Sequence, residues 1–367
     1  MAISIDDIKK LRAMTGAGLA DVKKALTEAE GDFDKAKELL RERGLAIAAK
    51  RSDRETSNGC VLVKSVDGFA AMLALKCETD FVANGADFIA LTQSILDAAI
   101  AAKAKDLEAV KALDINGQSA QDAVTQRSGI TGEKMELDGY LVLEGENVEV
   151  YDHMGKHTLC TMVQTTLNAP EVGHKLAMQV AAMKPVALDS ASMPQSILDE
   201  EYKTAVEKSK LEQVQKYVDN KLKKAGINPN LVDSEDHIES NMAKGWLTQA
   251  QADEARKLIE EGKAEGEAQL KMPMIEGIAK GRVQKFLKEN CLVDQEFQFG
   301  DGDKQTVSQW LAAQNKDLKI ADFKRFTLVA EYCNNYLIIT RSVGIRMSSN
   351  TSVFSIIRTK RTFLLLF

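Results

Sequence analysis

Apolar residues recur at helical spacing near the start of the chain and then change period. Ile8, Leu11 and Met14 share one helical face behind Ser4 and Asp7, a capping box with Asp in the usual Glu place. TGAG at 15–18 breaks that helix. Leu19, Val22, Ala25 and Leu26 open a second one, Gly31 punctuates, and Ala36, Leu39 and Leu40 line a third that stops at Gly44. Three short helices bury a core too small to be very stable alone, so an attached or partner-bound module is expected. The polar run KRSDRETSN at 50–58 reads as a hinge or linker.

From Gly59 the period is two. GCVLVKS and FAAMLALKC, separated by Asp67-Gly68, predict a β-hairpin, because Asp-Gly tolerates the positive φ of a two-residue turn. The second strand runs into ETDFVAN, and residues 86–103 predict an amphipathic helix. A second β-rich stretch at 135–164 has turn signals at Asp138-Gly139, Glu144-Gly145 and Met154-Gly155, and a helix at 171–183 ends before Lys184-Pro185. The shared strand-and-helix grammar predicts two related α+β subdomains. Residues 197–272 are rich in Lys, Glu, Gln and Ala, with the single proline Pro229. They predict a long helix ending near Gly226 and one or two helices returning through QAQADEARKLIEEG, a projecting helical hairpin. A helix over 273–287 returns to the core. Strand-like QEFQF, a helix from Val307 to Ala313 and the strand FKRFTLVA then follow.

The fold class is therefore α+β. It divides into a three-helix domain at 1–54, a core subdomain at 55–140, a second at 141–200 with 273–332, a helical arm at 201–272 and a tail at 333–367. The tail has no Asp or Glu, five basic residues and a terminal FLLLF, and matches no periodicity. It reads as a frameshifted or read-through end, with a basic, weakly structured extension as the alternative.

Composition narrows the function. Lys plus Arg number 48 against 54 Asp plus Glu, a net charge of −6, which argues against a dedicated nucleic-acid binder. An apolar share of 44% excludes wholesale disorder. No run reaches the ~18 apolar residues of a membrane span. The start lacks a basic-then-apolar signal, so a cytoplasmic protein is expected. Cys60, Cys77, Cys160, Cys291 and Cys333 form no CxxC pair and read as reduced thiols. No phosphate-binding loop, GxGxxG after a strand, HExxH or GxSxG occurs. His153 and His157 stand four apart on a strand-turn stretch without a third ligand nearby, and GDGD at 300–303 is too short for a calcium loop. Neither a cofactor nor a metal is expected.

Thr79-Asp80-Phe81-Val82 sets an acid beside a large aromatic where a strand ends. Either Phe81 packs inward and Asp80 caps a helix beginning near Ala83, or Phe81 is an exposed wedge with a charge at its base. In isolation the segment does not decide.

Its context does. LRAMTGAGLADVKKALTEAEGDFDKAKELLRERG at 11–44, CETDFVAN at 77–84 and KLAMQVAAMKP at 175–185 resemble bacterial elongation factor Ts, and GRVQKF at 281–286 with QEFQF…TV at 295–307 extends the likeness. The resemblance implies a guanine-nucleotide exchange factor for elongation factor Tu. Such a factor binds Tu in its GDP-bound and nucleotide-free states, with no bond-making chemistry and no direct nucleic-acid or membrane contact. It also implies a three-helix domain like a ubiquitin-associated fold, two core subdomains and a helical-hairpin excursion. By position, Arg12, Leu19 and Lys23 around TGAG would contact the partner's nucleotide domain. Thr79, Asp80, Phe81 and Val82 would form the wedge near its magnesium site. His153 would contact it from a YxHxGG-type turn, here YDHMGKH with the second glycine missing, and Ile278 and Ala279 would face it from a helix. The excursion at 204–272 exceeds that of shorter members and reads as a self-association or partner arm, or as an inert insert. A non-catalytic scaffold that binds other partners through the three-helix domain is the alternative reading.

Overall fold

The computed structural model describes residues 3–300, 302, 304–328, 332–333 and 336–337. It divides into two units, the first holding residues through 144 with 152–160 and those from 326 onward, the second 145–151 and 161–325.

The first unit opens with helices α1 (Ile5–Thr15), α2 (Leu19–Glu28) and α3 (Phe33–Lys50). The capping box forms: the Ser4 hydroxyl accepts the Asp7 N–H at 3.0 Å, and Asp7 accepts the Ser4 N–H at 3.2 Å. Leu11, Val22, Ala25, Leu26 and Ala36 are fully buried and make a small core of their own. Gly44 does not end α3, which continues to Lys50. It lies instead where α3 crosses a later helix, α7 (Ala120–Thr131), and a Cβ on Gly129 of α7 would sit 2.5 Å from the Gly44 Cα. Its missing side chain serves close approach of two helix backbones, not termination.

Strands β1 (Asn58–Val66) and β2 (Phe69–Cys77) form the expected hairpin, with Asp67 and Gly68 both at positive φ, 47° and 72°. Four helices follow: α4 (Asp80–Ala83), α5 (Ala86–Ala101), α6 (Leu107–Lys111) and α7. Strand β3 (Met135–Glu144) then pairs antiparallel with β2, giving a sheet in the order β1-β2-β3. The subdomain boundary expected after residue 140 thus falls inside a strand. Asp138-Gly139 is not a turn either. Ala74 faces Gly139 and Leu75 faces Leu137, so Asp138 is the extra residue of a β-bulge. The Phe326 ring lies only 2.3 Å from where a Gly139 Cβ would be, which explains the glycine. Asp138 itself pairs with Lys76 at 2.7 Å. Helix α5 packs on β1 and β2, and Phe69, Leu73, Leu75, Phe88, Ile95 and Leu96 fill the core between them.

Strands β4 (Val148–Asp152), β5 (Leu159–Thr165) and β6 (Ile320–Thr327), most of whose residues belong to the second unit, lie in that order in another sheet. Helix α8 (Pro170–Met183) buries Leu176, Ala177 and Val180 against a core that also contains Phe297 and Trp310, stacked at 3.9 Å. QEFQF is not a strand: Glu296 makes only an isolated bridge to Thr306. The packing of Phe297 on Trp310, and of buried Gln295, whose side chain donates to the carbonyls of Met183 and Glu289, takes precedence over strand pairing. The last strand starts at Ile320, three residues before expected, and residues 329–330 of the predicted strand lie outside the described residues.

The arm contains α9 (Gln195–Lys224), α10 (Glu235–Ala243) and α11 (Gln249–Ala268), with its own core of Val218, Leu222, Ile238, Leu247, Ala252 and Ala255. Helix α12 (Met272–Asn290) runs along α9, joined by an Arg282–Glu212 ion pair at 2.5 Å, and α13 (Val307–Gln314) follows. Of the atypical tail, Tyr336–Leu337 pairs with Tyr332–Cys333, and the rest lies outside the described residues. Among the described residues no helix is long and apolar enough to cross a membrane.

Candidate functional site

Where β2 ends, the chain turns into α4 within two residues. Thr79, not Asp80, is the N-cap: its hydroxyl accepts the Val82 N–H at 3.4 Å, and Asp80 is the first helical residue. The four-residue helix divides its side chains sharply. Val82 and Ala83 pack into the sheet-and-helix core, whereas Asp80 is exposed and Phe81 leaves 88% of its surface open. The inward-packing reading of Phe81 is thereby corrected. In this four-residue helix Val82 and Ala83 take the inward face, and Phe81 falls on the other.

Two carboxylates hold this turn from outside it. Glu133, just after α7, accepts the Thr79 O–H at 2.6 Å and the Thr79 N–H at 3.1 Å. Glu78 accepts the backbone N–H of Lys134 at 2.6 Å and the guanidinium groups of Arg51 and Arg54 at 3.2 and 2.8 Å. Burial opposes the charge of Glu78, but the Lys134 N–H and the guanidinium groups of Arg54 and Arg51 outweigh it and lower its pKa to about 2. The supposed linker at 50–58 therefore anchors the base of the turn. Further ties come from Asn58, which donates to the Glu78 carbonyl at 2.8 Å, and Asn84, which donates to the Asp80 carbonyl at 2.9 Å.

The TGAG turn joins α1 to α2 through Gly16, which closes α1 at φ 67°, and Gly18, which precedes α2. Arg12 and Lys23 are exposed, as are the apolar Met14 and Leu19 that flank the turn. Behind it an open cleft of about 310 Å³ is lined by Gly18, Lys24, Arg43, Gln126 and Ile130 among others, with Arg43 engaged by Glu28 at 2.7 Å.

His153 is exposed at the start of a tight turn, His153–Gly155, in which Met154 and Gly155 take positive φ. The missing second glycine causes no strain, because Lys156 sits at φ −90°. His157 is held by Asp152 through a short Nδ1 contact. In the second unit, Ile278 is half-buried and Ala279 fully buried. Ala279 therefore presents no surface, since with Ile275 it belongs to the covered face of α12, while Met272 and Met274 near its start are exposed. Within the first unit, the structure thus provides an exposed aromatic turn, an exposed basic-and-apolar helix junction and an exposed histidine turn. Sequence reasoning missed Glu133 altogether and gave no role to Glu78, Arg51 or Arg54. The paired arginines flanking SD were the only visible signal.

A family model described as Elongation factor TS matches residues 78–330. The elongation factor Ts of Parabacteroides distasonis is 56% identical over 331 residues, covering 90% of this chain and 100% of its own length. That of Porphyromonas gingivalis is 38% identical over 332 residues with the same coverage of both chains. That of Azobacteroides pseudotrichonymphae is 35% identical, again over its whole length. With a family match over most of the chain and relatives aligned from end to end, this chain belongs to the elongation factor Ts family.

Proposed function

We propose that this chain is a guanine-nucleotide exchange factor for elongation factor Tu, acting in the cytoplasm during translation elongation. Phe81 is its wedge. The observation that carries the reading is an aromatic ring 88% exposed on a turn whose ends are hydrogen-bonded to Glu133 and Asn84. Phe81 is the most exposed of the large apolar side chains among the described residues, and aromatic residues are enriched in the buried core of protein interfaces.

A GTPase holds GDP through phosphate contacts and a Mg²⁺ ion with near-octahedral oxygen ligands. An exchange factor breaks no bond. It binds the nucleotide-free state more tightly than the GDP-bound state, and linkage makes the two ligands mutually antagonistic. Phe81 inserts between helices of the partner and shifts the elements that support the metal and phosphates, with Asp80 as the charge at its base. Arg12, Leu19 and Lys23 dock the partner, His153 adds a contact, and Ile278 borders a further one beside Met272 and Met274. The arm supplies self-association or a second grip rather than the wedge.

The test is release of a fluorescent GDP from elongation factor Tu with increasing amounts of the full chain. Saturable acceleration that collapses in Phe81→Ala supports the reading. Binding to Tu without acceleration makes the chain a scaffold and overturns it.

A further inference from the structure

We infer that Glu133 is a positioning residue for exchange: it completes the N-cap of α4 from a distant part of the chain and so fixes the direction in which Phe81 projects. The inference rests on the exchange reading and names a residue that acts through Phe81.

In an ordinary capping box the N-cap hydroxyl accepts the N–H of the third helical residue. The side chain of that third residue, Glu or Gln, accepts the N-cap N–H in return. The first half is present in α4, since Thr79 accepts the Val82 N–H. The second half is impossible within the helix, because the third residue is Val82, which packs on the core. Asp80 and Phe81, the first and second residues, point outward. No residue of the turn is left to close the box. Glu133, 54 positions later, does so with both carboxylate oxygens, one on the Thr79 N–H and one on the Thr79 O–H.

This second bond orients the hydroxyl. With its proton committed to Glu133, the Thr79 oxygen turns a lone pair to the Val82 N–H, so the external carboxylate and the internal cap support each other. Glu133 is itself fixed by the end of α7: its N–H donates to the Thr131 hydroxyl at 3.2 Å, and its carbonyl accepts the Ser128 hydroxyl at 2.5 Å. The wedge is thereby referred to α7, the helix that α3 crosses at Gly44. Glu78 supports the same turn one residue earlier through Arg51, Arg54 and the Lys134 N–H.

The experiment compares full-length wild type, Glu133→Gln, Glu133→Ala, Phe81→Ala and the double variants. Two readouts are used. In the free protein, amide hydrogen exchange over residues 79–84 is expected to accelerate in both Glu133 variants, more in Glu133→Ala, while the β1–β2 hairpin keeps its protection. In GDP release from elongation factor Tu, the maximal rate is expected to fall roughly tenfold in Glu133→Ala, the scale of losing charge-assisted hydrogen bonds in a half-open site. The concentration for half-maximal effect should stay unchanged. In the Phe81→Ala background the Glu133 substitutions should add no further loss. Full additivity, or unaltered hydrogen exchange at 79–84, would overturn the inference. If Glu133→Ala fails to fold, Glu133→Gln carries the same comparison, since an amide accepts only one of the two bonds. A wild-type chain that fails to accelerate GDP release from elongation factor Tu overturns the exchange reading itself, which the hydrogen-exchange result distinguishes from loss of the clamp.

Discussion

Phe81→Ala separates the proposed wedge role from the fold. The ring keeps 88% of its surface open, so truncation removes about an eighth of a side chain's burial. Full burial of Phe stabilises by about 1.5–3 kcal/mol, so the free protein loses only about 0.2–0.4 kcal/mol. Phe88→Ala is the internal control: that ring is 0% exposed in the same unit, and its removal costs about 3–5 kcal/mol. If Phe81 is the proposed wedge, the order reverses in the complex. An aromatic anchor buried at an interface costs about 2 kcal/mol or more when truncated. At 1.4 kcal/mol per factor of ten, the maximal GDP release rate should drop roughly 30-fold or more. Stopped-flow release of fluorescent GDP at saturating factor gives the rate, and thermal unfolding gives the stability of the same samples. The wedge is refuted by a Phe81→Ala protein that accelerates GDP release from elongation factor Tu as much as wild type does. It is equally refuted by one as destabilised as Phe88→Ala, because the ring would then be a core residue.

Three further outcomes are expected. Replacing Arg12 and Lys23 by Ala should raise the factor concentration needed for half-maximal GDP release several-fold without lowering the maximal rate, since both are exposed on the helices flanking TGAG and remote in sequence from the wedge; an unchanged concentration curve would make them merely solvated. Because the Glu78 pKa is lowered from 4.5 to about 2, its contribution to stability is present above 4.5 and is lost as pH falls toward 2. The stability gap between wild type and Glu78→Gln, followed by urea unfolding, should therefore close over that window and stay constant above it. Burial pushes the thiols of Cys60 and Cys77 up to about 12 and that of Cys291 up to about 11, and raises Cys160 further, so at neutral pH all four are protonated as well as buried. In a Cys333→Ser protein a thiol reagent should find them only after denaturant is added.

The local grammar of this chain was legible where a single period or cap decides the structure. The Ser4–Asp7 box, the Asp67-Gly68 hairpin and the helix after the TDFV segment are all settled by residues within a few positions of one another. What the chain concealed was non-local use of the same signals. Gly44 resembles a helix stop, yet it is the contact point for a helix that begins 76 positions later, at Ala120. Asp138-Gly139 resembles a turn, yet pairing of β3 along β2 leaves Asp138 as a bulge and sets Phe326 over the glycine. The aromatic pair Phe297 and Trp310 turns an alternating segment into irregular backbone. The site shows the same limit. Phe81 was singled out by its neighbours in sequence, but its exposure depends on which residues fill the core beneath α4. Glu133 is recognisable only once α7 and β3 are placed.

An exposed aromatic and a rigid turn are opposing demands. Burying a side chain is the usual means of fixing it, and Phe81 cannot use that means if it is to enter a partner. A flexible turn would also fail: ordering backbone costs about 1–2 kcal/mol per residue, so fixing a loose TDFV segment on binding would offset most or all of what one aromatic anchor supplies. Anchoring must therefore come from the turn's other side chains and from polar groups, which leave the ring free. The turn has that form, with Val82 and Ala83 seated in the core and Thr79 clamped by Glu133. Glu78, immediately before it, is clamped by Arg51, Arg54 and the Lys134 N–H, so the order is set before any partner arrives. Charge is suited to this task at a half-exposed position, because charge-assisted hydrogen bonds are directional and need no apolar cover. The consequence is a division that a partner can exploit. On the proposed reading, binding energy from Phe81 would go into displacing the partner's nucleotide site rather than into ordering this one, and loosening Glu133 should shift that balance without touching the ring.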